Sequence, residues 1–212
     1  MVEQVYARLR EQIIEGVFPS GTRLIERDLA LSLDVSRVPL REAFVRLQLD
    51  GFIDLIPRRG AVVRQLTMRD ADELFSVRIS LEGLAAQLAA QRSSAEEIEQ
   101  LKEALRQAEA ATETDDPGVI SSANAAFHEC IVEISGNVLL QRMMAMISGR
   151  VRWLFRLTAE RDPTSLCHEH QQLFAAIEKG DAESAAALAS EHVRSGRRHS
   201  MEILSQVLPD EA

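Results

Sequence analysis

The sequence predicts a mainly α-helical protein of two domains: an N-terminal group of three helices followed by a small β-hairpin, and a C-terminal antiparallel bundle of helices. The chain has 212 residues, enough for two modest domains that each bury a core. Ala, Leu, Glu, Arg and Gln, all good helix formers, dominate its composition. Strand-like patterns occur only before residue 66, and helical periods alone follow. We therefore expect one domain over residues 1–66 and a second over residues 67–212.

Charge is distributed unevenly between these two segments. The formal net charge is −9, yet residues 1–66 contain ten Arg, no Lys and nine acidic residues, a balance of +1, and the rest of the chain carries −10. Because local charge on one face decides whether a protein meets nucleic acid, the overall acidity does not exclude DNA as a partner. We find no apolar run near 18 residues and predict no membrane span. The isolated Cys130 and Cys167 and the lack of a signal-peptide pattern predict a cytoplasmic protein with reduced thiols.

The N-terminal segment contains the elements of a winged helix-turn-helix in order. Gly16 and Gly51 are expected to end the first and third helices, as glycine often does. Ser36 is expected to cap the third helix, and Pro39 lies in its first turn, where no intrahelical hydrogen bond is lost. Gly60 is expected at the tip of the hairpin, which forms the wing. The predicted helices are 2–15, 24–33 and 37–50, and the predicted strands are 52–56 and 61–66.

The third helix of this segment has an apolar face and a basic face. At 100° per residue, Arg37 and Arg41 lie within about 40° of each other, beside the core-facing residues. Arginines at the N-terminal end of a recognition helix can meet guanine O6 and N7 or phosphate in the major groove. Arg58 and Arg59 at the wing tip suit phosphate or minor-groove contact, and Arg27 is a candidate for backbone positioning. A solvated surface charge is the alternative for each arginine, but the whole set predicts DNA binding. The core-facing residues are Leu40, Ala43, Phe44 and Leu47.

Three motifs identify a known relative of this segment. They are G-x-F-x-x-G-x-x-L at 16–24, SRVPLREA at 36–43 and RRG before the last strand. With these motifs, residues 5–64 resemble the winged-helix domain of the GntR family. The resemblance implies that DNA contacts fall on Arg27, Ser36, Arg37, Val38, Pro39, Arg41, Arg59 and Gly60. Val38 and Pro39 offer no side-chain hydrogen bond, so there the resemblance implies backbone approach or apolar contact with a thymine methyl group.

Histidines are the chemically informative residues of the second segment. Three predicted helices each direct one imidazole toward the bundle interior, at His128, His170 and His192, and Asn124 lies one turn before the first. Neutral imidazoles with an oxygen donor suit zinc, nickel or manganese, although core histidines bonded to carbonyl groups are an equal alternative. His199 lies roughly 10 Å along the helix from His192, so we exclude it as a ligand of the same ion. The helices are separated by breaks near 92–94, 113–118, 135–137, 159–164 and 179–181, which give about six helices.

Further stretches carry a second resemblance. They are FSVRISLEGLAAQLAA at 75–90, NAAFHECIVEISGN at 124–137, EHQQLFAAIEKGD at 169–181 and His192. Residues 67–206 resemble the all-helical C-terminal ligand domain of the FadR subfamily, the FCD type. The resemblance implies a divalent metal, with zinc first and nickel or manganese as alternatives, where the usual Asp ligand is here a neutral Asn. It implies the ligands Asn124, His128, His170 and His192.

An arginine in this domain is a candidate for binding a small carboxylate effector. Arg78 falls in the R-x-x-L-E stretch, where the resemblance places it near the ligand cavity and a guanidinium can pair with a carboxylate. An intrahelical ion pair with Glu82, four residues on, is the equal alternative. Weaker candidates for the same role are Arg150, Arg152 and Arg156.

These observations together predict a one-component transcriptional regulator, not an enzyme. A homodimer would place two recognition helices on a pseudo-palindromic operator, and an organic acid bound near the metal would change operator affinity. We expect a repressor. One alternative is a regulator that responds to the metal alone. Another is a metal-dependent hydrolase built on the same four ligands, which is disfavoured because no glutamate is clearly placed as a general base.

Overall fold

The computed structural model describes residues 1–114, 116–158 and 162–207. By their contacts these residues form two compact units, which we describe one at a time. The first unit is Met1–Thr67 together with Met146–Leu157, and the second consists of the described residues of Met68–Ala145 and Thr158–Ala212. The first unit thus includes a helical segment from far along the chain, which the expected boundary at residue 66 does not anticipate.

The first unit is a winged helix-turn-helix, as predicted. Its strands form an antiparallel sheet in the order β1-β3-β2, with Arg23 opposite Val62 and Ile56 opposite Gly60. The two-residue strand β1 is absent from the sequence-based assignment because it is too short to show an alternating pattern. The elements are α1 (Val2–Ile14), β1 (Arg23–Leu24), α2 (Glu26–Ser32), α3 (Arg37–Leu49), β2 (Ile53–Ile56) and β3 (Gly60–Val63).

The helix ends of this unit are partly as expected. Gly16 and Gly51 follow α1 and α3 with φ of +71° and +77°, a left-handed conformation that glycine adopts without strain. Ser36 occupies the N-cap position of α3, as expected, but its side chain makes no capping hydrogen bond. The reason lies in the sequence: an N-cap hydroxyl usually accepts from the amide of the third helical residue, and here that residue is Pro39, which has no N–H.

The hairpin also differs from the prediction in detail. Gly60 is the first residue of β3 and pairs with Ile56, so the turn consists of Pro57, Arg58 and Arg59 and glycine is not at its tip. Arg58 takes the positive φ of +65° that the turn requires. The wing therefore carries its two arginines at the end of the hairpin.

The core of the first unit forms where α3 packs against α1 and α2. The four predicted core residues of α3 are all buried, whereas Val38 and Leu49 on the opposite face are 64% and 80% exposed. The indole of Trp153 joins this core, with its ring centroid 5.6 Å from that of Phe52. The winged helix thus completes its core with a side chain from the 146–157 segment.

The second unit is an all-helical bundle, in agreement with the predicted fold class. Helix α4 packs along α9, and Gly83 permits their close approach, because a Cβ there would lie 2.6 Å from Ser190 Oγ. Two of the predicted breaks include residues 115 and 159–161, which lie outside the described residues. No described helix is long and apolar enough to cross a membrane. The helices are α4 (Met68–Arg92), α5 (Ala95–Ala111), α6 (Pro117–Ile134), α7 (Val138–Thr158), α8 (Pro163–Glu178) and α9 (Ala182–Val207), and Met146–Leu157 of α7 belongs to the first unit.

Candidate DNA-binding surface and metal site

The first turn of α3 presents an exposed cation beside an exposed apolar side chain. Ser36, Arg37 and Val38 are exposed, and Pro39 is half-buried above the fully buried Leu40. Within the described part of the chain, Arg37 has no hydrogen-bond or ion-pair partner. Its guanidinium is therefore available for the bidentate contact that arginine makes with guanine or with phosphate.

Two other predicted contact residues are engaged in exposed ion pairs. Arg41 Nε lies 2.9 Å from Glu26 Oε2, which ties α3 to α2, and Arg27 Nε lies 3.0 Å from Asp28 Oδ1. Exposed pairs of this kind contribute about 0–1 kcal/mol. Either arginine can exchange its carboxylate for a phosphate at little cost.

The wing supplies the remaining predicted contacts. Arg59 and Gly60 are exposed at the end of the hairpin, as is Arg58. Open space surrounds the Cα of Gly60, since a Cβ there would meet no heavy atom within 4 Å. Its φ of +82° nevertheless favours glycine. The eight predicted DNA contacts thus lie on three elements of the winged helix: α2, the start of α3 and the wing.

In the second unit, three imidazoles from three helices meet in one cluster. His128 of α6, His170 of α8 and His192 of α9 have ring centroids 4.7–5.2 Å apart. One ring nitrogen of each lies within 4.8 Å of one ring nitrogen of the other two. His170 and His192 are buried, and the side chain of His128 is 14% exposed. The three histidines predicted to act together are therefore close enough to bind one ion.

Two buried polar atoms on α6, one in the cluster and one a helical turn before it, fit a bound cation. Asn124 Oδ1 and His128 Nε2 are buried and have no hydrogen-bond partner among the described residues. A buried polar atom without a partner costs about 1–3 kcal/mol, so such atoms usually mark a bound ion or water. Imidazole nitrogens with an amide oxygen are donors that zinc, nickel or manganese accept. The residues present thus fit a divalent metal ion.

Two carboxylates contact this cluster, and the sequence reasoning did not assign them to it. Glu169 Oε2 lies 2.7 Å from His192 Nδ1, and Glu82 Oε2 lies 3.3 Å from His128 Nδ1. Burial by itself would raise the pKa of Glu82, but the charge of Arg78 and the approach of His128 outweigh it and hold the pKa well below its usual range. The sequence contains one sign that a carboxylate lies near the cluster, because Glu169 directly precedes His170.

Arg78 makes the intrahelical contact that the sequence left as one alternative. Its Nε donates to Glu82 Oε1 at 2.7 Å, and both side chains are about 5% exposed. Its guanidinium also lies over the ring of Phe75, 5.5 Å from the centroid. Through Glu82, Arg78 is linked to the imidazole cluster.

The remaining histidines and the weaker arginine candidates are not part of the imidazole cluster. His168 is exposed and bonds to Gln172, and the cluster does not include His199. Arg152 Nη1 donates to Glu11 at 3.0 Å, and Arg156 Nη1 donates to the Ile14 carbonyl at 3.0 Å. These two arginines therefore hold α7 against α1 within the first unit, whereas the sequence pattern predicted them in the second domain. Arg150 likewise belongs to the first unit, beside Gly51.

Comparison with known proteins assigns each of the two segments to a known family. Residues 1–63 match the gntR family of bacterial regulatory proteins, and residues 73–195 match the FCD domain. The uncharacterized HTH-type transcriptional regulator YdhC of Bacillus subtilis (strain 168) is 32% identical over 211 residues, which cover 98% of this chain and 92% of YdhC. The HTH-type transcriptional repressor RspR of Escherichia coli (strain K12) is 26% identical over 91% of this chain and 85% of its own length.

Solved structures agree with this assignment. The structure of E. coli McbR/YncC superposes with a TM-score of 0.79 and 26% sequence identity, and the match covers 98% of each chain. The proteins similar to this chain are transcriptional regulators and not enzymes. The chain therefore belongs to the GntR family of bacterial regulatory proteins, in which its winged helix-turn-helix and FCD domains make it a DNA-binding transcriptional regulator.

Proposed function

We propose that this regulator is a cytoplasmic repressor whose operator affinity is controlled by a small organic acid bound near a divalent metal. In this proposal residues 1–66 bind DNA, and residues 67–212 bind the metal and effector and form the dimer. The observation that supports it most is the buried imidazole cluster, together with Asn124 Oδ1 and His128 Nε2, two buried atoms that have no hydrogen-bond partner among the described residues. The name of the similar repressor RspR supports the sign of the regulation.

The proposed DNA contacts follow from exposure and chemistry. Arg37 reads a base edge in the major groove, and Val38 makes apolar contact with a thymine methyl group. Arg27 and Arg41 contact phosphates after leaving their exposed ion pairs. The other proposed contacts are Ser36 and Pro39 at the start of α3, and Arg59 and Gly60 in the wing.

A homodimer is the assembly that suits this mode of binding. One winged helix reads one half-site, and a two-fold axis would place a second α3 about one helical turn of DNA away, on a pseudo-palindromic operator. Two half-sites also raise affinity, because binding of the second α3 is intramolecular.

In the second unit, Asn124, His128, His170 and His192 would hold the metal, with zinc as the first candidate and nickel or manganese as alternatives. The ion would supply a Lewis-acidic centre for an oxygen of the effector. Arg78 would bind the effector carboxylate, which would compete with Glu82 for its guanidinium. Such a ligand changes operator affinity only by binding one of two arrangements of the protein more tightly than the other.

This function is tested by measuring operator binding while the metal and the effector are varied one at a time. We would titrate fragments of the chain's own promoter region by fluorescence anisotropy, with metal retained or chelated, against a panel of sugar acids, hydroxy acids and dicarboxylates. The proposal expects specific binding that one class of acid weakens, and expects His128→Ala to abolish that response without abolishing DNA binding. A response to chelator alone would favour the metal-responsive regulator. Failure to bind any genomic fragment specifically would refute the proposal.

A further inference from the structure

We propose that Glu169 is a positioning residue that makes His192 present Nε2 to the metal ion, and that the nearby charge of Glu82 acts in the same sense on His128. This inference rests on the proposed metal site and names residues that set its geometry. The two carboxylates come from α8 and α4, and the imidazoles that they contact come from α9 and α6. A carboxylate therefore faces an imidazole at two places, and a hydrogen bond joins the Glu169 pair but not the Glu82 pair.

Glu169 and His192 make the closer contact. Glu169 Oε2 lies 2.7 Å from His192 Nδ1, and the imidazole is 6% exposed. An ionised carboxylate can only accept a hydrogen bond, so Nδ1 must carry the proton and donate it. In a neutral imidazole the lone pair then resides on Nε2, which is directed away from Glu169. The contact thus selects both the tautomer and the orientation of the ring.

Glu82 approaches His128 without a hydrogen bond. His128 Nδ1 lies 3.3 Å from Glu82 Oε2, but this buried oxygen has no hydrogen-bond partner among the described residues. Glu82 is held by Arg78, whose Nε donates to Oε1 at 2.7 Å. The negative charge beside Nδ1 favours a proton on that nitrogen, and His128 Nε2, on the other side of the ring, is buried and likewise has no hydrogen-bond partner among the described residues.

The two carboxylates also supply charge that the proposed donors lack. Three neutral imidazoles and the amide of Asn124 bring no negative charge to a divalent ion. A carboxylate hydrogen-bonded to a ligating imidazole raises the basicity of the other ring nitrogen, and loss of such a partner typically weakens metal binding by 10–100-fold. Glu169 thus acts on the ion through its hydrogen bond to His192, and Glu82 acts through its charge, without either taking a ligand position.

The competing explanation is a purely structural role, in which these contacts only hold the helices together. Measurements of metal affinity in folded variants distinguish this explanation from the positioning role. We would compare Glu169→Ala and Glu169→Gln in the full chain with the control Glu178→Ala, an exposed carboxylate on the same helix. Zinc and cobalt affinities would be measured by competition with a chelator, and circular dichroism would confirm folding.

We expect Glu169→Ala to weaken metal binding by about 10–100-fold. Glu169→Gln keeps a hydrogen-bond acceptor without the charge and should give an intermediate loss, and Glu178→Ala should bind as the wild type does. Unchanged affinity in folded Glu169→Ala, with metal bound by the wild type, would overturn this inference alone. A wild-type chain that binds no metal would overturn the proposed metal site and this inference with it.

The tautomers supply a readout that needs no metal. Long-range nitrogen–proton correlation spectra of the metal-free chain at mildly alkaline pH distinguish a protonated Nδ1 from a protonated Nε2. We expect protonated Nδ1 at His192 and His128, and loss of that preference at His192 in Glu169→Ala, with the exposed His168 as an internal reference. A protonated Nε2 at His192 in the wild type would overturn the inference.

Discussion

Removal of the Trp153 side chain should destabilise the winged helix-turn-helix, although this residue lies far from it in the sequence. Trp153 is 4% exposed, and its ring centroid lies 5.6 Å from that of Phe52. Burial of an aromatic side chain of this size removes roughly 200 Å² from water, which corresponds to about 5 kcal/mol at ~25 cal/mol per Å². Measured Trp→Ala changes in cores are about 3–5 kcal/mol. We therefore expect Trp153→Ala to lower the free energy of unfolding of the first unit by about 3–5 kcal/mol.

Urea unfolding followed by far-ultraviolet circular dichroism measures this change, since the substitution removes the only tryptophan as a fluorescent probe. Leu157→Ala is the matched control, because Leu157 lies on the same helix and is 41% exposed. That control should change the free energy of unfolding by less than about 0.5 kcal/mol. A loss below about 1 kcal/mol for Trp153→Ala would refute the packing of this segment into the winged-helix core.

Three further predictions concern a tyrosine, a helix contact and a ligand. Partial burial and the hydrogen bond that its hydroxyl donates to Asp50 raise the pKa of Tyr6 from 10.0 to about 12. The ultraviolet titration of this single tyrosine should follow that pKa, and a titration midpoint near pH 10 would contradict the contact with Asp50. The stability that the protonated hydroxyl contributes to the fold is fully present below pH 10 and is lost between about pH 10 and 12. Gly83→Ala should cost about 1–3 kcal/mol in thermal unfolding, because the new Cβ would lie 2.6 Å from Ser190 Oγ, and Ser190→Ala should relieve much of that loss if the clash is its cause. Asn124→Asp should tighten zinc binding by about tenfold, or ~1.4 kcal/mol, in a chelator competition, since it adds a negative charge at a proposed ligand; unchanged affinity would argue against Asn124 as a ligand.

Local sequence patterns predicted much of the first unit. Helix ends at Gly16 and Gly51 were predictable because glycine accepts positive φ, and the buried face of α3 followed from helical periodicity. Ser36 is at the predicted N-cap position, but its hydroxyl makes no capping hydrogen bond because Pro39 lacks the amide that it would bond. Two errors concern the sheet: β1 was not assigned, and Gly60 was placed at the hairpin tip. Each involves one or two residues, whose place only the strand pairing defines.

The sequence patterns did not predict contacts between residues that are far apart in the chain. Trp153 joins the core of residues more than 85 positions earlier, and no periodicity reports which unit a long helix packs against. The imidazole cluster was anticipated, because each histidine shares a helix face with buried residues. The carboxylates of Glu169 and Glu82 were not, since their partners lie on other helices and only the fold brings them together.

Operator affinity measured as a function of salt, for the wild type, Arg37→Ala and the control Arg8→Ala, tests the central claim most directly. Arg8 is an exposed arginine on α1 and matches the charge change. The account predicts that Arg37→Ala weakens specific binding by about 1–3 kcal/mol, that Arg8→Ala has little effect, and that the wild-type affinity falls as salt rises. Arg37→Ala that binds the operator as tightly as Arg8→Ala would contradict it.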